Sequence, residues 1–575
     1  MTAPSMTPTA CAKIDAELSA LRRAAAQWAS LPLARKISLL RECTNATHRV
    51  ARRWTATAAS AKGIEGTPLA GEEALSGPWA VLRALRGYVS TLRQIERFGA
   101  PSIEDARVRV RSDGQIVVDV FPDEFSDRIL LNGIRAEVWM DPAVTPATLR
   151  QTMGQWYQQV TPQGRVALVL GAGNIAAIAP LDVLYKLIAE GAVCILKMNP
   201  VNDYLGGILE EALAPLVDGD FLHFAYGGAD VGQYLCRHPL VDEIHVTGSA
   251  RTHDAIVFGD GAEGDQRKLQ NAPLPTKPVT SELGNVSPTI VVPDRWSDAD
   301  LRFQAENVVT QKLHNDGFNC IAAQVLLLPA DWPQTPAFIE AVEDLMRRAP
   351  DRPAYYPGAD ARCAALSSNH SAERFGRYAD GFTARTIVRA DASDSDSAFT
   401  TEAFCSLLAI ATIPGDTETY LRDAVAFAND RLWGTLGANL IVHPRTVRRH
   451  AAAFDRALAD LRYGCIGVNA WTGVGFLLCQ TPWGAYPGHT PANIGSGIGV
   501  VHNTHLFSRS QKSVVYAPFA PFPRSLFGYG STLLPKPPWF VTNRNQAKIG
   551  DALCDFEASK SPARLAKIAF LAMSG

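Results

Sequence analysis

From residue 12 to about 98 the chain is rich in Ala, Leu and Arg, with apolar side chains three and four positions apart. That spacing predicts several amphipathic helices. Residues 106–140 switch to strict alternation around Asp113-Gly114, the signature of a β-hairpin, and read as an extended arm. From Gly164 a different rhythm begins. RVALVL runs into a Gly turn, Asn174 to Glu190 fits a helix, and AVCILK is a second buried strand. DFLHFAYGG, DVGQYLCRHP and VDEIHVTGS repeat strand, helix and strand. This βαβ repetition predicts a parallel, doubly wound sheet.

Residues 258–278 are Gly- and Pro-rich and read as a loop. A second α/β block is expected over 281–475, with strands at PTIVVP, AQVLLLP, LLAIATI and GANLIVHP. The remaining 476–575 read as a C-terminal return followed, after about 516, by an irregular Pro- and aromatic-rich tail. That tail ends in one helix near 558–573. The expected division is thus 12–280 for the helices and dinucleotide-binding unit, with 106–150 an excursion, and 281–475 for the catalytic unit.

The length of 575 residues allows two to four domains and an ample core. Charge narrows the partners: 55 basic against 57 acidic residues leave a net −2, with no field to attract nucleic acid or an anionic membrane. The 10 Cys form no CxxC pair and no His/Cys cluster with metal spacing, as in a reduced, cytoplasmic protein without a metal site. The N-terminus lacks the basic and apolar regions of a signal peptide. The most apolar stretch, Val166 to Leu196, is interrupted by Asp182, Lys186 and Glu190, so it reads as a buried α/β segment rather than a membrane span.

Gly171-Ala-Gly173-Asn-Ile-Ala176 follows a strand and opens a helix, matching the G-x-G-x-x-[GA] pyrophosphate turn. The Rossmann reading also requires an acid at the end of the next strand, where this chain has Lys197. The two Gly could equally serve a tight βα turn alone. Asn174, at the mouth of that turn, is a donor that could stabilise an oxyanion. Lys197 could bond ribose hydroxyls and tolerate a 2′-phosphate.

Taken in order, the segments resemble the aldehyde dehydrogenase superfamily over about residues 15–505. Asn174 falls at the Asn of P-W-N-F-P. Gly228 to Gly232, leading into Val246-Thr-Gly248-Ser249, resembles the G-x-x-x-G helix before F-T-G-S. Ser281-Glu282-Leu283-Gly284 resembles E-L-G-G, and Asn315 to Cys320 resembles N-x-G-Q-x-C. Glu402-Ala-Phe404 resembles E-x-F-G-P, and Gly434 to Ala438 and Gly464 to Asn469 match the closing strands. The chain departs at Val246, at Pro200 in place of an acid, at Cys405-Ser406 in place of Gly-Pro, and at Val183 where a Lys is usual.

The resemblance implies an α/β fold of two doubly wound parallel-sheet domains with a β-hairpin oligomerisation arm, in a dimer or tetramer. It implies oxidation of a small-molecule aldehyde with NAD or NADP. Cys320 would be the nucleophile, with Asn174 and the Cys320 N–H as oxyanion donors and Glu282 as base for thioester hydrolysis. Lys197, Gly228, Gly232, Gly248, Ser249, Leu283, Glu402 and Phe404 would hold the cofactor. His314 would be structural. A CoA-dependent or acyl-CoA-reducing enzyme of the same fold is the alternative, with an inactive relative behind it. The tail after 516 would cover a substrate-channel mouth or a subunit interface.

Overall fold

A computed structural model of the chain describes residues 6–377, 381–527 and 532–574. The N-terminal helices are Cys11–Ser30, Leu33–Ala61, Ala70–Ala74 and Ala80–Phe98, and their apolar stripes close on a shared core around Trp28, Trp54, Leu85 and Tyr88. Among the described residues no helix is long and apolar enough to cross a membrane.

Two large sheets organise most of the rest, beside a two-stranded pair of Pro482–Trp483 and Val501–His502. The smaller runs Gly497–Ile498, Val279–Leu283, Glu243–Gly248, Arg165–Leu170, Ala192–Lys197, Leu222–Ala225 in spatial order, parallel except at Gly497–Ile498. The chain winds outward in one direction from Arg165–Leu170 to Leu222–Ala225, then restarts on the other side at Glu243–Gly248. The loops at this reversal diverge and leave a crevice at the C-terminal ends of the strands. Ahead of Ala192–Lys197, Gly191 takes φ +68° with the Trp156 indole against its Cα, so a side chain is excluded on both counts.

The larger sheet has eleven strands, with a parallel centre of Ser510–Tyr516, Cys465–Val468, Gly437–Ile441, Ser287–Val291, Ala323–Pro329, Leu407–Ile413 and Arg385–Arg389. The central strands are buried on both faces, which is why they read as continuous apolar runs. The Asp-Gly hairpin forms as expected, Val108–Val110 against Ile116–Phe121. With Arg135–Met140 it extends this sheet of its own chain through Ser510–Tyr516.

Four expectations are corrected. The 258–278 stretch contains a helix, Gly261–Leu269, hidden by Gly261 and Gly264. Glu263 in its first turn and Arg267 and Lys268 in its last oppose the helix dipole. Gly264 packs on the Gly259 backbone, where a larger residue would not fit. The helix after Asn174 starts only at Ile178, because residues before it are spent on the turn. The tail holds two helices, Gln546–Ser559 and Pro562–Met573, broken at Lys560 with φ 48°. The first was legible in the three- and four-residue spacing of Ile549, Ala552, Leu553 and Phe556. Finally, Val279–Leu283 belongs to the smaller sheet, so the chain passes to the larger one after Leu283 rather than at 281.

Candidate active site

The crevice at the strand reversal is a cavity of about 890 Å³. Leu170 to Asn174, Lys197, Gly228, Gly232, Gly248, Ser249, Glu282, Cys320, Glu402 and Phe404 all line it. Leu283 does not: it is fully buried and its neighbour Gly284 faces the cavity instead.

Cys320 follows a helix, Asp298–Leu313, and a turn with three successive left-handed residues: Asn315 at φ 54°, Asp316 at φ 55° and Gly317 at φ 78°. Such a run is costly outside glycine, so the surroundings must hold it. The Asn315 N–H donates to Glu72 Oε2 at 2.9 Å. Asn315 Oδ1 accepts from Lys62 Nζ at 3.1 Å and from the Tyr355 hydroxyl at 3.1 Å. Behind these lie two buried ion pairs, Lys62–Glu73 at 2.7 Å and Arg352–Glu72 at 2.9 Å. Gly317 is pressed against the Cys405 backbone, with no room for a Cβ.

The same frame carries Asn174. Its backbone carbonyl accepts from Lys62 Nζ (3.0 Å), Asn315 Nδ2 (3.1 Å) and Tyr355 (2.9 Å). Its side-chain Nδ2 donates one proton to the Phe318 carbonyl at 2.9 Å, which fixes the carboxamide and leaves the second N–H to the cavity it lines. The strand bearing Glu282 is tied to the nucleophile by the Asn285 N–H, which donates to the Cys320 carbonyl at 3.3 Å.

Cys320 is half-buried and lines the same cavity as the Glu282 carboxyl. Burial, then the charges of Glu282 and Glu402, push the thiol well above its ordinary range. Burial, then the Asp182 charge, raise Glu282 to about 8. Burial, then Glu282, raise Glu402 to about 8, with Arg362 and Lys312 opposing. Each of these two carboxyls has one buried oxygen, Oε1, without a protein partner. At neutral pH the site therefore holds a neutral thiol beside a carboxyl that can exchange a proton.

Arg362 clamps the Glu402–Phe404 loop. Its guanidinium donates to the Ala403 carbonyl at 3.1 Å and to that of Phe404, itself at φ 43°, at 3.0 Å. Across the cavity Ser249 N-caps the Ala250–Val257 helix, presenting backbone N–H groups where an anion would sit. His314 is buried, stacks on Trp471 at 4.6 Å and is pushed down to about 4 by burial, so it stays neutral and out of the cavity.

Reading the sequence missed Lys62, Glu72, Glu73, Arg352 and Tyr355, which reach the site from far along the chain, and Tyr356 and Arg362, which line it. Asp203 is buried and accepts from the Met6 N–H at 3.0 Å. In the tail, Trp539 and Phe540 pack with Phe303 around Trp471, close behind the nucleophile turn.

Residues 143–484 match the profile of the Aldehyde dehydrogenase family. Among curated proteins, "Aldehyde dehydrogenase family 3 member A2" of Rattus norvegicus is 30% identical over 178 residues, covering 31% of this chain and 33% of the relative. N-succinylglutamate 5-semialdehyde dehydrogenase of Sphingopyxis alaskensis is 29% identical over 168 residues, 29% of this chain and 32% of the relative. These alignments thus span about a third of each relative. Two solved structures share the fold. NADP-dependent glyceraldehyde-3-phosphate dehydrogenase of Bacillus halodurans, complexed with NADP, has TM-score 0.58 and 16% identity, covering 89% of this chain and 92% of its own. NAD-dependent aldehyde dehydrogenase of Sinorhizobium meliloti has TM-score 0.56 and 17% identity, covering 89% and 88%.

Proposed function

The chain belongs to the aldehyde dehydrogenase family, and from that premise we propose that it oxidises an aldehyde to a carboxylic acid with NAD or NADP. The observation that carries this reading is that Cys320, Glu282 and Asn174 line one cavity of about 890 Å³ together with Lys197, Ser249 and Glu402. Lys197, Ser249 and the Glu402 carboxyl, with its unpartnered Oε1, fit the hydroxyls and pyrophosphate of that cofactor. Gly232 and Gly248 leave open space beside it, and Gly228 lies against the Asp230 carboxylate. Pro200 leaves no carboxylate at its own position to oppose a 2′-phosphate, so NADP is accepted as well as NAD.

Glu282 takes the Cys320 proton, and the thiolate adds to the aldehyde carbon. The resulting alkoxide oxygen is met by the free N–H of the Asn174 carboxamide and by the Cys320 backbone N–H. The bound dinucleotide supplies the acceptor for the hydride that leaves this carbon, which turns the adduct into a thioester. Once Glu282 has released that first proton to solvent, it takes a proton from water as the water oxygen attacks the thioester; collapse of the tetrahedral adduct frees the acid, and a proton returns to the Cys320 thiolate.

The test is a panel of aldehydes with NAD or NADP, with and without CoA. Carboxylic acid matching reduced cofactor, without CoA, is expected. Strict dependence on CoA, with an acyl-CoA product, would overturn the hydrolytic reading.

A further inference from the structure

The three charged residues that interrupt the apolar Val166–Leu196 stretch, Asp182, Lys186 and Glu190, stand four apart on the Ile178–Ala189 helix and its C-cap, and so share one face. That face lies over a matching polar stripe of the smaller sheet. Glu243, His245 and Thr247 alternate along one strand, and Thr280 and Glu282 along its neighbour, with His245 in register with Thr280 and Thr247 with Glu282.

From Asp182 outward the contacts are continuous. Asp182 Oδ2 accepts from the Thr247 hydroxyl at 2.8 Å. Thr247 Oγ1 meets His245 Nε2 at 3.3 Å, and His245 Nδ1 meets Thr280 Oγ1 at 2.9 Å. Lys186 Nζ donates to Thr280 Oγ1 at 3.3 Å and to Glu190 Oε2 at 2.7 Å, and pairs with Glu243 at 3.3 Å. Arg165 donates to Glu243 Oε2 at 2.6 Å. Asp182 and His245 are sealed from solvent, whereas the Glu190 side chain is 27% and Arg165 40% exposed. At the inner end Thr247, bonded to Asp182, pairs in register with Glu282, and Asp182 Oδ1 and Glu282 Oε1 are both buried without partners. His502 also faces Asp182, and Tyr185 and Cys194 flank the outer end.

Asp182 and Glu282 thus each keep a buried oxygen open to take up a proton. We propose that this row carries the proton taken up by Glu282 during thioester hydrolysis from the active site to the Glu190–Glu243 rim. The proposal rests on Glu282 being the base of the proposed reaction. One proton enters when water loses it to Glu282. It passes by Asp182 and the Thr247 hydroxyl to one imidazole nitrogen of His245, while the other nitrogen releases one to Thr280. Lys186 takes that proton as it gives one to the acid pair, and ends with as many as it began with. One proton leaves to bulk water, and no electron moves.

The test uses the full chain without cofactor and a p-nitrophenyl ester, whose burst of nitrophenolate reports acylation of Cys320 and whose steady state reports hydrolysis of the acyl-enzyme. In Asp182→Asn and His245→Gln the burst rate should stay within about twofold of native. Steady-state turnover should fall about tenfold or more, with a larger solvent isotope effect and partial rescue by imidazole buffer. Thr280→Val, which keeps the shape of the site, should show the same split if the other variants fail to fold. Native-like steady state in folded variants, or an equal fall of burst and steady state without rescue, overturns the row and leaves the Cys320 reading standing. A native enzyme with no burst overturns the Cys320 reading, and the row with it.

Discussion

The Glu402 carboxylate rests on the Cα of Gly284, so closely that a Cβ at Gly284 would overlap both carboxylate oxygens. Glycine here is a matter of space rather than of backbone angle, and it sets how deep Glu402 reaches into the cavity beside Cys320. Gly284→Ala should displace Glu402 and weaken cofactor binding about tenfold or more, the loss of roughly one charge-assisted hydrogen bond. Fluorescence titration with NADPH measures it, and native affinity would show that Glu402 does not touch the cofactor.

The raised carboxyls predict how stability responds to pH. Glu282 and Glu402 sit at about 8 and Asp316 at about 7 in the folded chain, all three because burial disfavours the charged form. Between the ordinary carboxylate range and 8, the folded state holds more protons than the unfolded one. Their contribution is full at low pH and is lost as pH rises through about 7 to 8. The melting temperature should therefore fall from pH 6 to pH 9 by less in Glu282→Gln and Glu402→Gln than in the native chain.

The thiol should respond to the same charges. Burial comes first, but Glu282 and Glu402 both hold Cys320 protonated. Glu402→Gln removes one of those charges and should speed iodoacetamide labelling of Cys320 several-fold near pH 8, shifting the labelling profile to lower pH. Mass mapping of the modified peptide reads the rate, and slower labelling would contradict the arrangement.

The frame behind the nucleophile turn should be costly to break. Glu72→Gln leaves Arg352 buried without its ion pair and weakens the tie to the Asn315 N–H. The expected loss is about 3 kcal/mol of stability. Denaturant unfolding checks it, together with a fall in activity as the left-handed turn loosens.

The line between what was readable and what was not follows sequence distance. Asn174, Lys197, Glu282, Cys320 and Glu402 each sit in a short run of characteristic neighbours, so order and spacing were enough to nominate them, and all five line one cavity. Leu283 was grouped with its neighbours, and alternation along the strand buries its side chain outside the cavity that Glu282 and Gly284 line. Lys62, Glu72 and Arg352 carry no local signature, since a helix with two acids or a lone Arg before a Pro is ordinary until the fold joins positions 280 residues apart. Asp182, Lys186 and Glu190 were visible as breaks in an apolar run. Only the register of Glu243–Gly248 with Val279–Leu283 shows what they face.

The most direct measurement is the mass of the acylated protein. Glu282→Gln, incubated with an aldehyde and NAD or NADP and quenched in acid, should accumulate about one acyl group per chain, on the peptide containing Cys320. Acyl label on another residue, or aldehyde oxidation undiminished in Cys320→Ala, would contradict the account.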